Sequence, residues 1–263
     1  MATAHDWIDI KVTDCAGTII LNRPEDANRM TRQMVEQLSE AFDDLYREKK
    51  VRAIIITGAG AAFSEGLDWH EARADEADPL TSQRWGEDAM AWRDLIVGML
   101  EITKPIIASV NGAALSEGAG LVLASDIVVA ADGASFGLPD PRYGLVAGIA
   151  APLLSYRIGA GHAAKMLLSS SILDAEESMR LGVFHELVAH EKAWARALEI
   201  ARECAAAAPE ALQLTKRLLT ETIGEELSTQ LSSGAVMRAT AFTTEAAREG
   251  LAAYAEDRRP MWK

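Results

Sequence analysis

Two glycine-rich segments constrain this chain more than any other feature: GAGAAFSEGLDW at 58–69 and NGAALSEGAGLVLASD at 111–126. Each follows an apolar, β-branched run, 51–57 in the first case and 106–110 in the second, and each carries a Ser-Glu-Gly triplet at its turn. Runs of that length and composition read as buried strands. Asn111-Gly112 stops the second run, and a helix is expected to follow from about Gly118 to Ser125. A strand that ends in a glycine turn and opens a helix presents unpaired backbone N–H groups, and two such turns side by side suit a single anion.

The rest of the chain gives these turns an α/β setting. Residues 7–13 and 18–21 read as strands around a turn at Asp14–Gly17. From Thr31, apolar residues recur at Met34, Leu38, Phe42 and Leu45, which predicts an amphipathic helix ending near Lys49 and Lys50. Strand, helix, strand favours parallel pairing. The stretch from His70 to Glu87 is acidic and broken by Pro79 and Gly86, so an exposed loop is expected there, with a second helix over Asp88–Leu100. Ile127–Ala130 reads as another buried strand. After Tyr143 the pattern is mostly helical, with a helix over Asp174–Val183 closed by Gly182, an alanine-rich stretch over Lys192–Ala208, and helices beyond Pro209 that carry Leu212, Leu218 and Leu219. An apolar face on such helices serves an internal core or a subunit interface equally well.

Composition narrows the function classes. With 263 residues and 49% apolar content, the chain has enough material for one large domain or a domain with a small appendage. Twenty-six basic against 39 acidic residues, a formal charge of −13, disfavour nucleic acid and anionic membrane as partners. A phosphorylated ligand needs only a local basic rim and is compatible with that charge. Cys15 and Cys204 fit no metal-ligand spacing and read as free thiols of a reducing compartment. The opening MATAHDWIDIKV has no basic segment feeding an apolar one, and no apolar run reaches 18 residues; a cytoplasmic protein is the expectation.

The two loops, taken with LNRPEDANRM at 21–30, ASFGLPDPRYGLVAG at 134–148 and TTEAAREGLAAYAEDRRPMW at 243–262, resemble the motifs of the enoyl-CoA hydratase/isomerase, or crotonase, family in family order. The resemblance runs from near residue 7 to the end of the chain. It implies a spiral of repeated β-β-α units over 1–200 that carries an acyl-CoA site. A helical region over 201–263 is implied to serve oligomerisation and pocket closure, in a homotrimer or homohexamer. It also implies an acyl-CoA thioester as substrate, with CoA present as part of that substrate and no separate cofactor. By position, the family's two oxyanion-hole N–H groups fall on Leu67 and Glu117. The carbonyls around Asp26, Ala27 and Glu65, next to the Gly66 turn, would lie near the nucleotide, and Arg23 is a looser candidate for the phosphate rim. Fixed N–H donors lower the barrier to an enolate, and losing one costs about 3–4 kcal/mol in related oxyanion holes.

Two positions depart from the family pattern. A family hydratase uses one glutamate in the helix after the second loop and another after the Phe-Gly pair; these fall on Gly120 and Asp140 here. Glycine can neither orient water nor donate a proton. Asp140 remains as the acid/base group, and one carboxylate suffices to move a proton between carbons, the logic of the family's isomerases. Double-bond migration is therefore the leading expectation. Hydration with an unusual acid/base arrangement, hydrolysis or C–C cleavage, and a non-catalytic CoA-binding paralogue are the alternatives. The Glu117 side chain, where relatives carry a small residue, either points away from the thioester or supplies a new carboxylate. Trp69, His70, Trp85, Met90, Trp92 and Tyr143 fall in or beside segments that line the acyl tunnel of relatives, although aromatics at such spacing also build cores.

Overall fold

The computed structural model describes residues 7–74 and 80–262. The N-terminal residues 1–6 and the centre of the expected exposed loop, 75–79, lie outside the described residues. Along the chain run β1 (Ile8–Thr13), β2 (Ala16–Leu21), α1 (Arg32–Arg47), β3 (Ala53–Gly58), α2 (Trp69–Ala74), α3 (Thr81–Glu101), β4 (Ile106–Val110), β5 (Ala113–Leu115) and α4 (Glu117–Ala124). They are followed by β6 (Ile127–Ala131), β7 (Ser135–Gly137), a 3₁₀ turn at Asp140–Tyr143, α5 (Ala150–Ile158), α6 (Ala160–Ser169), β8 (Ile172–Asp174), α7 (Ala175–Arg180), β9 (Glu186–Val188), α8 (Ala193–Ala205), α9 (Pro209–Phe242) and α10 (Glu245–Ala255).

Six strands form the main sheet in the order β1-β2-β3-β4-β6-β9, parallel throughout except for the β1–β2 hairpin. A second sheet, β5-β7-β8, stands beside it. Each of β4 and β6 sends its chain directly into a strand of the small sheet and then into a helix, and a bridge between Ser64 and Ala114 does the same for the chain leaving β3. This is the expected repeat of two strands and a helix.

Alternation along the parallel strands fills two cores. Ile54 and Ile56 belong to the core that also takes in Met34, Leu38 and Phe42 of α1 and Ile96 of α3. Ile55, Ile107 and Val129 face α8, against Ala197, Leu198 and Ala201. The alanine-rich stretch therefore buries one face in the internal core.

Several expected boundaries move. The hairpin turn shortens to Asp14-Cys15, with Asp14 left-handed at φ 53°. The loop expected over His70–Glu87 is replaced on both sides by helix, α2 before it and α3 from Thr81 onward. The reason is the stripe Trp85, Ala89, Trp92, Ile96 and Met99, which buries one face of α3. Glycine inside a helix costs about 1 kcal/mol, whereas burying a large apolar side chain returns about 1.5–3 kcal/mol. Gly86 is outweighed by its neighbour Trp85. β5, β7, β8 and β9 are three residues each, too short for period-two alternation to show in the sequence.

At 34 residues, α9 is about 50 Å long by helical rise, and it lies along α3 and α5. Its course is fixed by Lys216, which pairs with Asp126 at 2.7 Å and donates to the Lys104 carbonyl at 3.0 Å. Further along, backbone meets backbone: a Cβ on Gly234 would collide with the Gly148 carbonyl, and one on Gly148 with the Gly234 carbonyl. Replacing Gly234 with Ala is expected to destabilise the fold by about 1–3 kcal/mol through overpacking, despite alanine's higher helix propensity. Urea unfolding checks this; a midpoint at or above the wild-type value would show that α9 does not approach this closely.

Candidate active site

The Asn-Arg-Pro…Asn motif scaffolds the first loop. Ala27 and Asn28 are both left-handed, at φ 50° and 54°, which turns the buried Asn28 side chain inward. Its Nδ2 donates to the carbonyls of Ala59 and Ala62, each at 2.9 Å, and its Oδ1 accepts the Arg23 N–H at 2.9 Å. The Ala27 carbonyl accepts the Glu65 N–H at 3.0 Å. Met30 brackets the next residues, its N–H donating to the Gly66 carbonyl at 2.7 Å and its carbonyl accepting the Asp68 N–H at 2.9 Å. The Leu67 N–H between them donates to no acceptor among the described residues.

The second loop is held against the first. Leu115 N–H donates to the Ser64 carbonyl at 2.9 Å, and Ser116, at φ 47° and ψ −110°, donates its N–H to the Gly137 carbonyl at 3.0 Å. Glu117 then opens α4, and its N–H has no acceptor among the described residues, as the start of a helix leaves it. The two glycines make the contact possible. Gly66, at φ 94°, leaves no room for a Cβ beside Ser116, and a Cβ on Gly118 would strike the Ser64 carbonyl.

Leu67 and Glu117 line one cleft of about 370 Å³, with Met30, Val35, Ala91 and Trp92 as its apolar wall and Arg32, Glu71, Arg84 and Asp88 among its polar residues. The Glu117 side chain is 3% exposed and forms an ion pair with Arg238 of α9, whose own side chain is 11% exposed. The other carboxylate oxygen, Oε2, is buried without a hydrogen-bond partner among the described residues.

Asp140 opens the 3₁₀ turn behind this pair and shares a narrow pocket with Trp92, Ser116, Glu117 and Arg238. It accepts a hydrogen bond from the Ser116 hydroxyl at 3.1 Å. Burial pushes its carboxyl up to about 6, the Glu117 carboxylate adds to the rise, and the Arg238 guanidinium and the Ser116 hydrogen bond work against it. Trp92 packs against Gly120: a Cβ on that glycine would lie 3.0 Å from Cζ2 of the indole.

The remaining expected site residues lie elsewhere. Arg23, Asp26, Ala27, Glu65 and Gly66 build the outer course of the first loop and do not line the cleft. Arg23 spends its guanidinium on Asp26 and Asp68, each at 2.6 Å, and Glu65 pairs with Arg29. Of the six acyl-pocket candidates only Trp92 lines the cleft. Trp69, Trp85 and Tyr143 instead join Phe242, Leu251 and Tyr254 in an aromatic cluster under α10, with Trp69 centred 4.9 Å from Tyr143 and 5.1 Å from Tyr254. His70 and Met90 are exposed. Trp69, Trp85 and Tyr143 fall in or beside segments that line the tunnel of relatives, and in this chain their rings pack under the C-terminal helix.

The model of the enoyl-CoA hydratase/isomerase family matches residues 13–263 of this chain. The chain belongs to the enoyl-CoA hydratase/isomerase family. It is 33% identical to the carnitinyl-CoA dehydratase of Citrobacter koseri over 93% of this chain and 94% of the relative. It is also 29% identical to the 1,2-epoxyphenylacetyl-CoA isomerase of Escherichia coli over 93% of this chain and 94% of that protein. A crystal structure of an enoyl-CoA hydratase/isomerase from Mycobacterium paratuberculosis superposes with a TM-score of 0.87 at 27% identity, covering 94% of this chain and 97% of the other. The crotonase fold and an acyl-CoA enzyme of the hydratase/isomerase class follow for this family member. No helix among the described residues is long and apolar enough to cross a membrane.

Arg238 escaped the sequence reading. Its only local signal is a single cation in the apolar stretch Ala235–Phe242, and its partner lies 121 positions away.

The raised Asp140 carboxyl has a consequence for stability. A folded-state value of about 6 against a reference of 3.8 means that the folded protein holds the proton more tightly. This group's contribution to stability is therefore fullest below the reference value and is lost as pH rises through the folded one. Asp140→Asn, which has no charge to desolvate, should raise the melting temperature relative to wild type at pH 8, and the difference should shrink at pH 4–5. Paired thermal melts check this; a difference independent of pH would contradict the shift.

Proposed function

We propose that this protein is an acyl-CoA isomerase that moves a double bond along the acyl chain by single-carboxylate proton transfer. The thioester oxygen is held by the N–H groups of Leu67 and Glu117, and negative charge collects there as the enolate forms. Asp140, as carboxylate, removes a proton from the α-carbon of a 3-enoyl thioester. The electrons move into the conjugated enolate, and the same carboxyl returns the proton to the γ-carbon, leaving the 2-enoyl thioester and Asp140 ionised again. No water is consumed.

The observation that carries this reading is the buried Asp140, its carboxyl pushed up to about 6, beside a Gly120 packed on the Trp92 indole, the position to which the family resemblance assigns a hydratase's other glutamate. A carboxyl titrating near the working pH is suited to take and return a proton. The CoA portion is proposed to lie along the Asp26, Ala27 and Glu65 carbonyls, and the acyl group in the cleft beside Trp92. Assembly as a trimer or two stacked trimers is supported by the apolar side chains that α9 leaves exposed, among them Leu214, Leu218 and Leu219.

Hydration is the second reading, favoured by the unpartnered Oε2 of Glu117, an acceptor suited to a water molecule. Among the relatives, by name, the carnitinyl-CoA dehydratase of Citrobacter koseri runs the reverse of a hydration, and the Escherichia coli protein isomerises an epoxide thioester.

Matched 2-enoyl and 3-enoyl thioesters separate the two. Isomerisation predicts interconversion without incorporation of labelled water oxygen, and a 3-hydroxyacyl product would overturn it. Asp140→Asn should lower kcat by about a hundredfold or more, the usual worth of a positioned acid/base group, with acyl-CoA binding little changed. Wild-type turnover in that variant would remove Asp140 from the mechanism.

A further inference from the structure

We propose that Arg238 is a positioning residue of this active site: it holds the Glu117 carboxylate against the first loop and cancels its charge, so that the thioester oxygen and Asp140 face a neutral pair. This rests on the reading of Asp140 as the proton carrier.

Glu117 poses the problem that the pair solves. Its backbone N–H is one of the two proposed donors to the thioester oxygen, yet its own side chain carries a negative charge into the same place. Oε2 lies 3.1 Å from where a Cβ on Gly66 would sit, so the carboxylate is folded back against the residue that precedes Leu67. A bare carboxylate there would repel the charge that develops on the enolate oxygen, and in a buried setting that repulsion is poorly screened. Arg238 meets the other oxygen of the same carboxylate and is itself packed over the Phe242 ring at 5.8 Å. Its backbone is registered by the Gly234–Gly148 contact one helical turn earlier, and its side chain is largely buried.

The pair also brackets Asp140. The groups around the Asp140 carboxyl come from the start of α4 (Ser116 and Glu117), from α9 (Arg238), from α3 (Trp92), and from the apolar residues Leu138, Ala147, Ile149 and Ala150. Glu117 and Arg238 are the two charged residues in that shell, and they act on Asp140 with opposite signs. Removing either one therefore moves Asp140 in the opposite direction from removing the other, and removing both moves it little. A residue that served only to hold the helix in place would produce no such sign pattern.

The test is the pH dependence of kcat on a 3-enoyl thioester for wild type, Arg238→Met, Arg238→Lys, Glu117→Gln and the double variant Arg238→Met/Glu117→Gln, with folding checked by circular dichroism. Activity should fall on the acid side as Asp140 takes up its proton. Arg238→Met should move that acid limb to higher pH and lower kcat by about tenfold or more, a share of the advantage that positioned acid–base catalysis supplies, with KM within about twofold of wild type, the pattern of an interaction made in the transition state. Glu117→Gln should move the limb to lower pH. The double variant should return it to near the wild-type position, and Arg238→Lys, which keeps the charge, should leave it there. Arg238→Met leaves a buried carboxylate unpaired, so if it does not fold, Glu117→Gln against the double variant, in which no such charge remains, gives the same comparison. Single variants that move the limb in the same direction, or not at all, overturn the proposal. Asp140→Asn separates the two levels: an inactive Asp140→Asn with an unmoved Arg238→Met limb defeats the Arg238 role alone, whereas an active Asp140→Asn defeats the Asp140 assignment and this inference with it.

Discussion

Everything at this site depends on how closely two loops approach each other. The first gives up a side chain at Gly66 so that Ser116 can sit against it, and the second gives up one at Gly118 so that the Ser64 carbonyl can. Interiors are packed to a density at which a single methyl group is felt, and either Cβ would force the loops apart. Their approach sets the Leu67 and Glu117 residues on one cleft wall. The large sheet supplies the rigidity behind it, since β3 and β4 are paired in parallel along buried isoleucines and lead directly into the two loops.

Around that contact the chain has accepted an electrostatic cost and offset it from a distance. Three ionisable groups, Glu117, Arg238 and Asp140, share a space nearly closed to water. Buried charges are tolerated when paired and strongly destabilising when one partner is removed. The pairing here spans the chain, because α9 runs back across α3 and α5 before Arg238 reaches α4. The C-terminal helices thus belong to the site as well as to the core. Trp92 completes the arrangement by occupying the space beside Gly120, which leaves Asp140 as the carboxyl outside the ion pair.

What could be read from the sequence follows from the range of the interactions concerned. The glycine loops, the strands that lead into them, and Asp140 after the Phe-Gly pair are local features, and glycine at a tight turn or close approach leaves a mark in a few residues. Helix α1 was legible for the same reason, with Thr31 capping it through the Met34 N–H at 3.2 Å. The three-residue strands of the small sheet were not legible, because partners far along the chain define them. The start of α3 was hidden by Gly86, whose local penalty is smaller than the tertiary gain at Trp85. Trp69, Trp85 and Tyr143 showed where aromatics are needed but not which surface they would cover. Arg238 and the packing of Trp92 against Gly120 depend on contacts that no local pattern encodes.

The proposed work of the two loops is joint polarisation of a thioester carbonyl by the Leu67 and Glu117 N–H groups. Infrared difference spectroscopy of a saturated acyl-CoA, labelled with ¹³C at the thioester carbonyl and bound to the wild-type protein, reads that polarisation directly. Joint donation predicts a carbonyl stretch at distinctly lower frequency than in water, with the shift diminished in Gly66→Ala. A bound carbonyl that absorbs at its aqueous frequency would contradict it.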